Sequence, residues 1–117
     1  MVADKSYAFA VRVVNAYKFL SEKKEYVLSK QLLRSGTSIG AMVKEAEHAQ
    51  SKADFLNKMN VALKEASETA YWLILLRDTD YLTKEKFDSL NRDCEELIRR
   101  TLVEPAHAGS RQPVSNT

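Results

Sequence analysis

The chain is poor in residues that interrupt helices or cross-link segments. Its 117 residues include three glycines, two prolines and one cysteine. Both prolines lie within the last 13 residues, so the interior favours long helices over many short strands. The single cysteine, Cys94, excludes an intrachain disulfide and suits a reducing cytoplasm.

Long apolar runs are absent as well. No run reaches the roughly 18 residues that a membrane span needs. The segment Met1–Lys5 lacks the basic and then apolar pattern of a secretory signal. Hydrophobic residues make up 44% of the chain and charged residues 29%, which is ordinary for one globular domain. We therefore expect a cytoplasmic protein with no membrane partner.

Four segments carry apolar residues at alternating steps of three and four, the spacing of an amphipathic helix. They predict helices over about residues 4–21, 27–48, 52–80 and 84–103, with Ser51 and Thr83 as N-caps of the last two. Short connections make consecutive helices antiparallel. The expected fold is all-α, an antiparallel up-down-up-down four-helix bundle over residues 1–104. Residues 105–117 are expected to form a disordered tail.

The second helix contains a small, polar stretch in which Gly36 and Gly40 lie about one turn apart. Each glycine costs about 1 kcal/mol relative to alanine inside a helix. Close approach of another helix would compensate for that cost. Facing levels in an antiparallel pair set this notch against Met59 and Leu63, or against another subunit. Both glycines are therefore predicted packing or interface residues.

Charged and aromatic residues of the second and third helices are predicted to meet. In the antiparallel arrangement Arg34 lies at the level of Glu65 and close to Glu68. A cross-helix ion pair there would fix the register or form a subunit contact, and would contribute specificity more than stability. Trp72 lies off the core stripe, so it either covers a neighbouring helix or anchors an interface.

Net charge is only +2, but its distribution is uneven. Residues 1–34 carry seven basic side chains against three acidic ones, whereas the rest of the chain is slightly acidic. This excess predicts a basic surface that oligomerisation could enlarge, although a solvated helix face explains it equally simply. The candidate nucleic-acid-binding residues are Lys5, Arg12, Lys18, Lys23, Lys24 and Lys30.

The sequence favours no catalytic, cofactor or metal site. The glycine stretch lacks the Lys and Ser/Thr of a phosphate-binding loop. Its hydroxyl residues lack a nearby base, because the two histidines, His48 and His107, lie at a helix end and in the tail. Glu45 and His48 give a single Glu-x-x-His spacing, whereas di-metal bundles use two. Cys94 falls on a core stripe and is predicted to be a buried apolar group. We therefore predict no enzyme activity and no small-molecule substrate.

Two motifs carry a family resemblance. They are residues 31–41, QLLRSGTSIGA, followed by Glu45-Ala46, and residues 62–73, ALKEASETAYWL. Together they closely resemble the bacterial four-helix-bundle proteins encoded in 23S rRNA intervening sequences, also labelled the S23 ribosomal protein family. The resemblance covers about residues 5–103.

That resemblance implies an antiparallel bundle that assembles as a ring, with a homopentamer as the expected state. It also implies a fold similar to the accessory protein of diversity-generating retroelements, a basic pentameric barrel that binds nucleic acid. The first functional hypothesis is thus a non-enzymatic homo-oligomer that binds rRNA or another nucleic acid. The alternative is a structural or adaptor module with no nucleic-acid role, which the near-neutral net charge favours.

Overall fold

Four helices build the part of the chain that the structure describes. The computed structural model describes the backbone of residues 2–111 and the side chains of residues 2–102. The helices are α1 (Val2–Glu22), α2 (Leu28–Glu47), α3 (Lys52–Asp78) and α4 (Lys84–Arg111). The predicted all-α class is confirmed, and the first three helices lie within a few residues of their predicted bounds.

The last helix ends later than the sequence predicts. We expected α4 to stop before Pro105, but its backbone remains helical to Arg111. Proline lacks an N–H, so Pro105 leaves the carbonyl of Thr101 without its usual intrahelical donor. That loss concerns one hydrogen bond, and the residues after it can continue the helix. The remainder of the predicted disordered tail, residues 112–117, lies outside the described residues.

Polar contacts between helices show that neighbours run in opposite directions. Across α2 and α3, Glu45 pairs with Lys58 at 3.0 Å and Arg34 with Glu65 at 3.2 Å. Residue numbers therefore rise along one helix as they fall along the other. Helices that follow each other in sequence pack side by side, and α4 returns against α1.

The return of α4 completes the up-down-up-down bundle. Lys5 of α1 pairs with Glu96 at 3.2 Å, and Arg12 pairs with Asp93 at 2.6 Å. These pairs again rise on one helix and fall on the other. Between α3 and α4, Ala66 contacts Cys94 at 3.3 Å and the Arg77 guanidinium lies 4.5 Å from the Phe87 ring centroid, so these two helices are antiparallel as predicted.

The predicted apolar stripes form the core. Its fully buried members include Phe9, Val13 and Leu20 of α1, Leu32 and Ile39 of α2, Met59, Leu73 and Leu76 of α3, and Cys94 and Leu97 of α4. Such contiguous burial of helix faces is the main stabilising term in a bundle. Within residues 2–111, no helix combines the length and the apolar character that crossing a bilayer requires.

A buried carboxylate caps the start of α2. Glu25 is 8% exposed, and its side chain accepts hydrogen bonds from the backbone N–H groups of Val27, Leu28 and Ser29 at 3.3, 3.1 and 2.6 Å. The first N–H groups of a helix have no intrahelical acceptor, so this carboxylate satisfies donors that would otherwise stay unpaired. Lys24, one residue earlier, has a left-handed backbone with φ 66°, which reverses the chain between α1 and α2.

Hydroxyl groups cap the next two helices, as predicted. The N–H of Asp54 donates to Ser51 Oγ at 3.0 Å, and the N–H of Lys86 donates to Thr83 Oγ1 at 3.2 Å. Asp54 in turn accepts from the N–H of Gln50 at 3.3 Å, which gives the reciprocal arrangement of a capping box one residue earlier than usual.

Candidate nucleic-acid interface

The two glycines of α2 lie against α1. A Cβ added at Gly36 would lie 2.7 and 2.8 Å from the two methyl carbons of Val13, and one at Gly40 would lie 3.4 Å from the carbonyl oxygen of Ser6. Of the two expectations for the notch, contact with Met59 and Leu63 is therefore wrong, and contact with another subunit stays a prediction. The core stripe of α2 contains residues 32, 35 and 39, and positions 36 and 40 are turned about 100° from residues 35 and 39, toward α1.

Arg34 joins the two helices whose register it was expected to fix. Its guanidinium donates to Glu65 at 3.2 Å and also binds Glu68, and the indole N–H of Trp72 donates to Glu68 at 2.9 Å. The hydrogen bonds from Arg34 and then Trp72 lower the pKa of Glu68, and the bond to Glu68 raises the pKa of Arg34. All four residues belong to one chain, so this cluster links α2 to α3 within the subunit.

Trp72 covers the bundle rather than standing free of it. Its side chain is partly buried and packs against the core, and Tyr71 meets it edge to face with ring centroids 5.0 Å apart. Trp72 therefore covers part of the core of its own chain, and its role as an interface anchor stays a prediction. Since the Arg34 side chain is 49% exposed, we expect its ion pairs to contribute little to stability, about 0–1 kcal/mol.

The hydroxyl groups of α2 form hydrogen bonds with backbone carbonyls or with a hydroxyl group of α3. Thr37 donates to the carbonyl of Leu33 at 2.7 Å, and Ser38 donates to the carbonyl of Arg34 at 2.6 Å. Deeper in the bundle, the hydroxyls of Ser35 and Thr69 are hydrogen-bonded at 2.8 Å. These bonds are local and structural, as expected for hydroxyls inside helices.

The thiol of Cys94 lies in the core, as predicted. Burial, with a smaller effect of Glu95, raises its pKa to about 12, and its Sγ lies 3.3 Å from the carbonyl oxygen of Ala66. A protonated, buried thiol is a poor nucleophile. Among the side chains of residues 2–102, no group of three or more His, Cys, Asp or Glu residues is arranged to hold a metal ion.

Two of the six candidate nucleic-acid-binding residues are engaged within the bundle. Arg12 donates to the Asp93 carboxylate at 2.6 Å and to the Ser89 hydroxyl at 2.7 Å. Lys5 pairs with Glu96, which also accepts from Arg100 at 3.0 Å. These pairs hold α4 against α1 and neutralise both cations. Sequence reasoning missed this because the acidic partners lie more than 80 positions away.

The other four candidates gather around the connection between α1 and α2. Lys18, Lys24 and Lys30 are exposed, and no ion pair to any of them occurs within the described part of the chain. Lys23 lies over the ring of Phe19, with Nζ 4.9 Å from its centroid. We call these four residues the lysine end.

A cation of α4 that sequence reasoning missed lies beside the lysine end. The Nζ of Lys86 is 3.5 Å from the centroid of the Phe19 ring, so this ring has a lysine from each of two segments. Antiparallel pairing of α1 with α4 brings residues 19 and 86 to one level. Matching the facing positions of these two helices in the sequence would have predicted the contact.

A cleft lies on each side of α1. One, between α1 and α4, has a volume of about 400 Å³ and begins beside the lysine end; its lining includes Phe19 and Lys86. The other, between α1 and α2, has a volume of about 570 Å³, and its lining includes Tyr7 and Gly40. Tyr7 is 72% exposed, so the α1–α2 cleft has an accessible aromatic edge.

Comparison with known proteins agrees with this architecture. The chain is 58% identical in sequence to a protein of unknown function from the S23 ribosomal protein family of Bacteroides thetaiotaomicron VPI-5482. The crystal structure of that protein matches the structure of this chain with a TM-score of 0.89. The alignment covers 90% of this chain and 98% of that one. No curated protein was found to match. A family model described as 23S rRNA-intervening sequence protein matches residues 1–102. The chain therefore belongs to the family of 23S rRNA-intervening sequence proteins.

Proposed function

We propose that this protein is a non-enzymatic, cytoplasmic homo-oligomer that binds structured RNA through the lysine end. The observation that carries the proposal is the concentration of Lys18, Lys24 and Lys30, all exposed, around one connection of the bundle. Exposed ammonium groups neutralise phosphates and release counterions, which supplies most of the affinity for a nucleic-acid backbone.

The acidic residues beside the lysine end leave its charge largely available. Glu25 is buried, and its carboxylate accepts hydrogen bonds from three backbone N–H groups, that of Val27 and the first two of α2. Glu22 is exposed and is the remaining acidic residue between positions 18 and 30. Residues 18–30 thus carry four lysines against two glutamates, and this net positive charge favours phosphate. RNA is the first nucleic acid to test, because the family's description refers to 23S rRNA.

A role without catalysis is supported by the state of the reactive groups. The hydroxyls of Thr37 and Ser38 donate to backbone carbonyls, and the Cys94 thiol stays protonated at neutral pH. None of these groups has a neighbouring histidine base among its described hydrogen-bond partners.

We propose that the subunits associate through the α1 surface. Tyr7 and Val11, one turn apart, are 72% and 45% exposed, and the α1–α2 cleft lies beside Tyr7. Apolar side chains exposed next to a cleft are typical of surfaces that bind another protein. A ring of five subunits would repeat the lysine end five times and increase avidity for RNA. Light scattering coupled to size exclusion tests this: five subunit masses are expected, and a monomer at micromolar concentration would contradict it.

Charge neutralisation at the lysine end tests RNA binding. The variant K18Q/K24Q/K30Q removes three positive charges there. The control K64Q/R92Q/R99Q removes three charges from exposed positions of α3 and α4. With a 23S rRNA stem-loop as probe at about 50 mM salt, we expect the first variant to lose at least tenfold in affinity and the control to lose less than threefold. Equal losses in the two variants, or no binding by the unmodified protein, would contradict the proposal.

The adaptor role is the second candidate, and the exposure of Val27 favours it. This side chain is 73% exposed at the start of α2, next to the lysine end, where an apolar group contributes little to phosphate binding. If K18Q/K24Q/K30Q binds RNA as the unmodified protein does, whereas Val27→Asp abolishes recovery of one protein partner, the adaptor role replaces the first proposal.

A further inference from the structure

The cleft between α1 and α4 combines an apolar floor with a polar rim. Its floor is formed by Ala16 and Phe19 of α1, Leu82 of the α3–α4 connection and Leu90 of α4. Its rim is formed by Arg12, Asn15, Glu85, Lys86 and Ser89. A concave apolar surface with a few convergent polar groups is the usual form of a small-molecule site.

The ring of Phe19 lies at the end of this cleft nearest the lysine end. It is partly buried and packs against the core, so its position is fixed by the bundle. Its ring interacts with two ammonium groups, from Lys23 at 4.9 Å and Lys86 at 3.5 Å. Both lysines are exposed, so either side chain can leave the ring without disturbing the core.

We propose that this cleft takes one unpaired nucleobase, stacked on Phe19, while Lys23 and Lys86 bind the phosphates on either side of it. The inference rests on the proposed RNA binding and narrows its substrate class. The preferred RNA is a helical stem interrupted by an unpaired nucleotide, and an uninterrupted duplex binds more weakly.

An exchange of partners favours the base over the ammonium groups. A cation over an aromatic ring at an exposed site is a weak interaction, and stacking of a base on an aromatic side chain is generally stronger. The displaced ammonium then neutralises a phosphate, where its attraction is greater than to the ring. Each of the three groups therefore gains a better partner.

The size and rim of the cleft also fit a nucleobase. Its volume of about 400 Å³ lies at the lower end of the range for small-molecule sites. Arg12 is held by Asp93 and Ser89, so it forms a fixed wall. The amide of Asn15 and the carboxylate of Glu85 can bond to base edges, Glu85 as an acceptor from an exocyclic amino group. Glu85 also repels phosphate, which keeps the backbone on the Lys86 side.

Paired RNAs test this inference directly. One hairpin carries a single bulged 2-aminopurine, and the other has the same stem without the bulge. We expect the unmodified protein to bind the bulged hairpin at least fivefold more tightly than the uninterrupted one. Binding should also change the fluorescence of the 2-aminopurine. The variant Phe19→Leu keeps an apolar group on the floor and removes the aromatic face. It should bind the two hairpins with equal affinity.

Two further variants keep the test decisive. Lys86→Glu lies outside the core, so it should fold normally, and the fivefold preference should fall below twofold. The control Tyr71→Leu removes an exposed aromatic ring of α3 and should keep the full preference. Equal binding of the two hairpins by the unmodified protein, or a preference retained in Phe19→Leu or Lys86→Glu, overturns the inference and leaves the proposed function intact. Failure to bind either hairpin overturns both.

Discussion

Replacing each helical glycine of α2 with alanine should change stability in opposite directions. A Cβ at Gly36 would lie 2.7 Å from one methyl carbon of Val13, closer than such atoms approach in real structures. Val13 is 1% exposed and β-branched, so its side chain has no alternative rotamer into which it can move easily. A Cβ at Gly40 would lie 3.4 Å from the Ser6 carbonyl oxygen, which is an ordinary contact.

The magnitudes follow from two opposing effects. Alanine is favoured over glycine in a helix interior by about 1 kcal/mol. Overpacking a tight core costs about 1–3 kcal/mol. Gly40→Ala should therefore gain about 0.5–1 kcal/mol, and Gly36→Ala should lose about 1 kcal/mol, so that the two variants differ by about 2 kcal/mol.

Urea unfolding followed by circular dichroism at 222 nm measures this difference. The control is a Val13→Ala background, in which the methyl groups that would meet the new Cβ are absent. There Gly36→Ala should become stabilising by up to about 1 kcal/mol, and the coupling energy between positions 13 and 36 should be about 2 kcal/mol. If Gly36→Ala is as stable as Gly40→Ala, or if Val13→Ala leaves its effect unchanged, the assigned α1–α2 contact is incorrect.

Three other predictions concern single groups. Glu25→Ala leaves three N–H groups at the start of α2, those of residues 27 to 29, without their acceptor and should lower the free energy of unfolding by about 1–2 kcal/mol. Substitution of an exposed residue, Glu47→Ala, should change it by less than about 0.5 kcal/mol, and equal effects in urea titrations would contradict the capping role. Arg34 and Trp72 lower the pKa of Glu68, so ionised Glu68 stabilises the fold fully above its unfolded pKa near 4.5, and this stabilisation is lost as pH falls through the lower folded pKa. Glu68→Gln should therefore reduce the loss of unfolding free energy at acidic pH. An unchanged loss at acidic pH would refute this. Cys94 is buried and has a pKa of about 12, so it should react with a thiol reagent at pH 8 only after denaturant is added. Rapid reaction of the native protein would contradict this and would show that α3 and α4 separate readily.

Helical periodicity was sufficient for the architecture. The stripe that predicted the core of α3 contains Met59, Leu73 and Leu76, and all three are fully buried. Capping chemistry placed the starts of α3 and α4 at Ser51 and Thr83. Helical periodicity and capping both depend on residues that are close in sequence, so a single sequence is sufficient to predict them.

The partners of individual side chains were harder to predict, because they depend on the rotation of each helix about its axis. Gly36 was expected to face α3 or another subunit, but a turn of about 100° from the core stripe carries it to α1. Arg12 was a candidate for nucleic-acid binding, but it pairs with Asp93 across the α1–α4 contact. The end of α4 was placed before Pro105 because one lost hydrogen bond was treated as a stop signal. In each case a prediction from neighbouring residues was overridden by the three-dimensional arrangement of the helices, which a single sequence does not specify.

The salt dependence of RNA binding tests the role of the lysine end most directly. Each phosphate contact contributes about 0.7–0.9 to the slope of the logarithm of the binding constant against the logarithm of salt concentration. If Lys18, Lys24 and Lys30 bind phosphates, K18Q/K24Q/K30Q should have a slope that is shallower by about 2–3, and K64Q/R92Q/R99Q should keep the original slope. Identical slopes for all three proteins would contradict RNA binding by the lysine end.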